Sequence, residues 1–554
     1  MRSLRMNLLV VLLAAVPLGA ADRPTNLNQV IDEVIDREHA LVGALRVYTP
    51  LIETYIQKLR VEGSELVPAG DQYFFSRAKL DEAPDLVPFR SKKGRFQGLS
   101  RSVGGFFSVD YLPRGFLQMI YLDSSNFDRD HYRFEYIRRE FLGEVRCLVF
   151  DIKPLNKSEK GRFLGRIWVE DQGYNIIRFN GVYTKSGWSE FYFHFDSWRF
   201  NAAPGLWLPA LVYSEESDFR CCGFWRLKKH IRFKAQSRLW GYKLGYASPE
   251  AELSRVLVEA ATPVRDEAEA ANDFSPVQEQ RAWEQQSENN VIERLERFGL
   301  LAPRGEVDKI LETVINNLEV TNNLDVQPEV HCRVLLTSTL ESFTVGHTIV
   351  LSRGLVDVLP DEAALALMLA HELAHIVLGH RVDTKFAFVD RVLFDQTDTF
   401  RHFFFARPAA EEEAATRRAD ELLKNSPYRD ALGNARRFSQ ELQTQASHVP
   451  NLVSPHLGNH VLAEVTMQAA FIPAPEHDDS KKIAALPLGG RIKLDPWTDR
   501  IEMIKSKPVG AMLEREKMPL EVTPFFVYLR RQDTAGPQKP AAITQGSAGR
   551  SQPQ

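Results

Sequence analysis

The chain has 554 residues, 44% of them hydrophobic and 26% charged, with a formal net charge of −4 at pH 7. The length exceeds what one compact core holds, so several domains are expected. The apolar fraction excludes a largely disordered chain, and the mildly acidic balance excludes a dedicated nucleic-acid binder.

Residues 1–21 read as a secretory signal: Arg2 and Arg5 form a basic start, residues 8–16 an apolar core, and Gly19-Ala20-Ala21 a small-residue cleavage site. The apolar run is short for a spanning helix, and no later stretch suits one, so a periplasmic or secreted protein is expected. Membrane contact would then be peripheral. Residues 22–250 form the expected β-rich domain. It opens with a helical stretch reaching about Gly63, marked by Ile31, Val34, Ile35, Leu41 and Leu45. From about Gln72, short alternating segments take over. Tyr132, Phe134 and Tyr136 share one face, as do Phe191, Phe193 and Phe195. Asp171-Gln172-Gly173 and Pro204-Gly205 mark turns, and residues 163–169 and 174–182 suit a hairpin. The region reads as a curved antiparallel sheet.

Residues 251–300 are rich in Glu, Ala, Gln and Arg and suggest a helical linker. In residues 301–465, Val307, Ile310, Leu311, Val314, Ile315 and Leu318 repeat at helical spacing, Val334-Leu335-Leu336 reads as a strand, and residues 342–351 as a hairpin or kinked strand. Strand-like pieces recur within 466–532, and the composition of 533–554 suggests a disordered tail. The overall expectation is a multidomain α+β protein: an N-terminal curved antiparallel sheet, then a mainly helical domain. Of the four cysteines, Cys332 reads as a buried apolar residue, while Cys147 stands as a candidate disulfide partner of Cys221 or Cys222.

The most informative pattern is His371-Glu372-Leu373-Ala374-His375, an HExxH motif inside the apolar run 363–378. Four residues apart on a helix, His371 and His375 project from one face and can share a tetrahedral zinc ion. Glu372 beside them can take a proton from a zinc-activated water. A helix apolar nearly all round is a buried one, and three ionisable groups inside it need partners. His380 lies about 140° round from His375 on a continuous helix and reads as a C-terminal cap or support for a ligand.

With the segment 410–416, Ala-Glu-Glu-Glu-Ala-Ala-Thr, a resemblance emerges. Residues 305–462 are similar to the zinc metallopeptidase family that includes the CAAX prenyl protease, HtpX and periplasmic chaperone-proteases. That family carries HExxH on one helix and Glu-x-x-Ala-Asp on a second. Glu412-Glu413-Ala414-Ala415-Thr416 fits this pattern, followed by Ala419 and Leu422-Leu423. The resemblance implies one zinc ion held by His371, His375 and Glu412, with Glu372 as general base. A second register begins at Thr416 and places a poor ligand on the metal. In the preferred register Thr416 replaces the family's Asp, and Ser342 stands where the family has Asn. The resemblance also assigns His456, with His460 as an alternative, to stabilising the tetrahedral intermediate.

Gly161-Arg162-Phe163, Arg166-Ile167-Trp168-Val169-Glu170, Ile177-Arg178 and Trp207-Leu208-Pro209 give the N-terminal half a resemblance to periplasmic lipoprotein-sorting domains. This implies a lipid or lipoprotein groove lined by aromatics such as Tyr132, Trp168, Phe193 and Trp207. The combined expectation is a zinc endopeptidase of the cell envelope acting on proteins or peptides. The rival is a latent or non-catalytic lipoprotein-binding, chaperone-like protein with a vestigial metal site. In a latent form, residues 386–410 would cover the cleft.

Overall fold

The computed structural model describes residues 26–62, 65–80, 85–88, 113–123, 126–156, 159, 161–184, 194–221, 229–242, 276–381, 405–453, 457–460, 492–495, 500–503, 529 and 531. The signal-like start, Cys222, Phe191, Phe193, His456, most of the proposed covering segment and the tail 533–554 lie outside them.

Helix α1 (Leu27–Leu45) starts where the Asn26 side chain accepts from the backbone N–H of Gln29 at 2.9 Å. Its stripe of Ile31, Val34, Ile35, Leu41 and Leu45 is buried. The helix ends well before Gly63. Beyond Pro50 the sequence alternates, and Leu51-Ile52-Glu53-Thr54-Tyr55-Ile56 enters a sheet instead, because its β-branched and aromatic residues suit a strand buried on both faces.

That sheet has ten strands: β1 (Leu51–Glu62), β2 (Glu65–Lys79), β3 (Asp85–Pro88) and, after the short helix α2 (Pro113–Gln118), β4 (Tyr132–Leu142), β5 (Val145–Pro154), β6 (Phe163–Glu170), β7 (Ile176–Tyr183), β8 (His194–Ala203), β9 (Leu206–Cys221) and β10 (Lys229–Trp240). The order is β3-β2-β1-β10-β9-β8-β7-β6-β5-β4, with antiparallel neighbours throughout. One side shares a core with α1 that contains Phe163, Phe179, Phe195 and Phe233, and α1 lies against β7 and β9. Arg199 forks onto Glu38 of α1 at 2.6 and 2.7 Å. Tyr132 belongs to this core, whereas Trp168 and Trp207 belong to a separate cluster. The aromatics expected to line one groove are therefore divided between two cores. Cys147 is a free, buried thiol and not a disulfide partner. Packed in the Trp168 cluster, it gives its S–H to the carbonyl of Val145 at 3.4 Å.

The second half begins with α3 (Pro276–Arg297), whose Val291 and Leu295 enter a core shared with Leu51 and Phe75 of the sheet. There follow α4 (Glu306–Thr321), β11 (His331–Leu335), β12 (Glu341–Val345), β13 (Thr348–Ser352), α5 (Arg353–Val358), α6 (Glu362–Val377), α7 (Ala409–Lys424), α8 (Leu432–Gln445) and β14 (Asn459–His460). The strands form a small sheet in the order β11-β13-β12-β14; α4 and α6 pack on it, and α7 and α8 pack on α6. A hairpin of β15 (Ile492–Asp495) and β16 (Arg500–Met503) comes last. Among the described residues no helix is long and apolar enough to cross a membrane.

Buried carboxylates of the large sheet dock the two halves. Glu53 on β1 is 2% exposed and accepts from Tyr73 (2.8 Å), Arg238 (2.9 Å), the Ser338 amide (2.9 Å) and the Ser338 hydroxyl (2.7 Å). Asp71 on β2 accepts the amides of Asn451 (3.0 Å) and Leu452 (2.8 Å). A buried carboxylate bonded this fully is stable, but deleting it strands its donors. We predict that Glu53→Leu lowers unfolding free energy by about 3–5 kcal/mol in denaturant titrations, because Arg238 loses its carboxylate partner.

Candidate metal centre

Asp361 caps α6, accepting from the Ala364 amide at 2.8 Å. The helix is buried on nearly every side, because Ala and Leu fill the positions around the motif. His371, Glu372 and His375 are each 0% exposed. Gly379, at φ +70°, ends the helix in the left-handed region that favours glycine. The turn lets the His380 amide reach the carbonyl of His375 at 3.0 Å and brings the two rings together, Nδ1 to Nδ1 at 2.9 Å.

Pro408 opens α7, its carbonyl accepting the amides of Glu411 and Glu412. Of the three consecutive glutamates, Glu412 is buried against α6, Glu413 is exposed, and Glu411 lies half-buried near His380. The His371 Nε2 to Glu412 Oε2 distance is 2.9 Å, His375 Nε2 to His371 Nε2 is 3.2 Å, and His375 Nε2 to Glu412 Oε2 is 3.7 Å. Tetrahedral zinc with bonds of about 2.05 Å separates its ligands by roughly 3.3 Å. The three edges bracket that value, so a single ion fits against one face of the triangle.

The unsatisfied atoms agree. Glu412 Oε1 and Glu372 Oε1 are buried with no hydrogen-bond partner. Buried carboxylate oxygens without partners are costly. A divalent cation and its water would relieve both. Burial pushes the Glu412 carboxyl up, but the bonds and charges of His371 and His375 outweigh it and bring it down to about 2. The shift favours the ionised carboxylate, the form that can ligate a metal.

Neutral groups hold the ligands. If His375 ligates through Nε2, its Nδ1 carries the proton and donates to His380 Nδ1. Burial, then the nearby His375, lowers the His380 pKa and so favours a neutral ring, whose Nε2–H tautomer would leave Nδ1 to accept. On the other ligand, Thr416 gives its hydroxyl proton to the Glu412 carbonyl at 2.8 Å, and its oxygen lies 3.5 Å from His371 Nδ1.

Two residues unmarked by sequence reasoning also enter the site. Thr344 on β12 donates to Glu372 Oε2, leaving Oε1 as the open oxygen. Arg407, with a side chain 2% exposed, donates to the Thr344 carbonyl at 3.3 Å and lies 3.5 Å from Glu411. Thr344 sits in the strand the sequence indicated, but nothing in the alternation shows that it meets Glu372. His456 lies outside the described residues. His460 is in β14, where its backbone pairs with Glu341.

If Thr416 and His380 orient the ligands, zinc affinity depends on both. We predict that Thr416→Val and His380→Phe each weaken zinc binding about 10- to 100-fold in competition titrations with a chromophoric chelator. Thr416→Asp, which supplies a charged acceptor for His371, tightens it.

Three comparisons bear on this centre. No curated protein matches the chain. A crystal structure of a LolA superfamily protein from Nitrosomonas europaea is similar at 12% identity, covering 40% of this chain and 96% of that one, with a TM-score of 0.23. Over residues 302–419, the span that holds His371, His375 and Glu412, the chain matches the sequence profile of peptidase family M48, a family of metallopeptidases.

Proposed function

We propose that the protein is a zinc-dependent endopeptidase of the cell envelope. The observation that carries this reading is the buried triangle of His371, His375 and Glu412, with the open oxygen of Glu372 beside it. These three side chains would hold the ion. Zinc, when bound, supplies an acidified water and a Lewis acid for the scissile carbonyl.

Glu372 would accept the proton of the attacking water on Oε1 and deliver it to the departing amine. Thr344 fixes the other oxygen and so sets which lone pair faces the reaction. Strand β12 lies beside the motif helix and, among the described residues, pairs with β14 at Glu341 and Ser342. Its Thr344 carbonyl suits a substrate backbone added as a further strand. His456 remains the proposed stabiliser of the oxyanion. Unfolded or lipidated envelope proteins are the proposed substrates, recruited by the N-terminal sheet, with the protein exported to the periplasm or beyond.

A latent form is the second reading, and Arg407 is the observation behind it. Its guanidinium already occupies the Thr344 carbonyl. A substrate strand would have to displace it.

Casein cleavage and bound zinc, measured together on the mature protein, test the main reading. Glu372→Gln should retain about one zinc per chain and lose activity by about 10²- to 10⁴-fold. Zinc without cleavage in both proteins would sink the peptidase and leave a binding protein. For the latent reading, Arg407→Ala should lower the KM for an extended peptide about tenfold, the worth of one charge-assisted hydrogen bond, with kcat little changed. An unchanged KM would dismiss the competition.

A further inference from the structure

We infer that the large sheet carries a recognition site for a polypeptide segment of the form Leu–X–Arg, and that the chain's own C-terminal segment occupies it. The site lies around Trp168, Trp198 and Trp207, in the cluster separate from the α1 core. Leu529 is 1% exposed and belongs to that cluster. Two residues on, Arg531 reaches Glu170 at 2.6 Å and Asp171 at 3.2 Å. In an extended segment, side chains two apart share one side, so an apolar residue and a guanidinium at this spacing meet one surface together.

The receiving surface is built for both parts. Arg178 lies 4.3 Å from the Trp168 ring centroid and 4.4 Å from that of Trp198, and it is pinned by Asp196, so the aromatic platform is rigid. Glu170 is 1% exposed and ends β6. Its other bonds are to neutral donors of its own turn: the amides of Gln172, Gly173 and Asn175 and the Asn175 side chain. Among the described residues, Arg531 is the cation bonded to this carboxylate. A buried carboxylate whose charge is met by a residue 361 positions along the chain is a receptor for a guanidinium.

The contact closes the chain on itself. The N-terminal sheet is followed by the metal-site domain, and the chain then returns to the sheet. The Arg531 side chain is 26% exposed, so the contact lies at the surface, where another segment of the same chemistry can compete for it.

The test uses the full chain with Leu529→Asp and Arg531→Glu, which vacates the site, and a fluorescein-labelled peptide spanning residues 524–536. Anisotropy should show the peptide binding the vacated chain at least about tenfold more tightly than wild type, whose site is filled. A peptide carrying the same two changes should bind neither. A folded, vacated chain that does not bind the wild-type peptide overturns the inference. Should the double variant fail to fold, the wild-type chain decides. Saturating wild-type peptide should then speed tryptic cleavage next to Arg530 and Arg531, and an unchanged cleavage rate overturns the inference. Zinc content and peptidase activity do not enter either readout, so the outcome is independent of the proposed enzymatic function.

Discussion

Three ionisable side chains lie inside a helix that is buried on almost every side, and that constraint organises the domain around them. His371, Glu372 and His375 have no water to turn to. Each must find a partner across a packed interface, because lone buried polar groups cost too much to survive. Strand β12 supplies Thr344 for Glu372, α7 supplies Glu412 and Thr416 for His371, and the Gly379 turn supplies His380 for His375. The apolar stripes of α4, α6, α7 and α8 then exist to hold these partners in register. The inner oxygens of Glu372 and Glu412 stay unsatisfied after all this, and an ion and its water would relieve both.

What was readable follows from whether information is local. The HExxH helix announces itself because motif and apolar context share sixteen residues of one helix. Glu412 was singled out only through the spacing of a second helix that the family resemblance supplies, since three consecutive glutamates look alike in sequence; the structure buries Glu412 beside the two histidines. Thr344 and Arg407 gave no signal, because their contacts join residues 28 and 63 positions apart. Strand β1 was misread as helix for the same reason. Its apolar run fits either structure, and pairing with β2 and β10 decides the matter. Glu53 and Asp71 gave no signal of their docking role, because the amides they bind lie hundreds of positions along the chain.

The docking chemistry repeats the logic of the metal centre. Glu53 and Asp71 gather donors from beyond their own sheet, as Glu412 gathers histidines. Such contacts are directional, so they set one orientation between halves where apolar packing alone would tolerate several. The β1–β2 region and the HExxH helix thus belong to a continuous packed unit: Tyr55 shares a core with Leu369 and Leu373.

The neutral threonine at position 416 fits the charge balance of this interior. Glu372 and Glu412 bring two negative charges, and a divalent cation brings two positive ones, so the loaded centre sums to zero. Arg407 and Glu411, 3.5 Å apart, cancel separately. An aspartate at 416 would orient His371 more firmly but leave the loaded centre with a buried net negative charge, and the metal-free fold with three carboxylates in one core. More of the folding free energy would then rest on the ion. With Thr416, the metal-free chain carries one fewer buried charge, and the domain depends less on being loaded in order to fold. On the zinc reading, the threonine gives up some metal affinity and leaves the domain less dependent on the ion in order to fold.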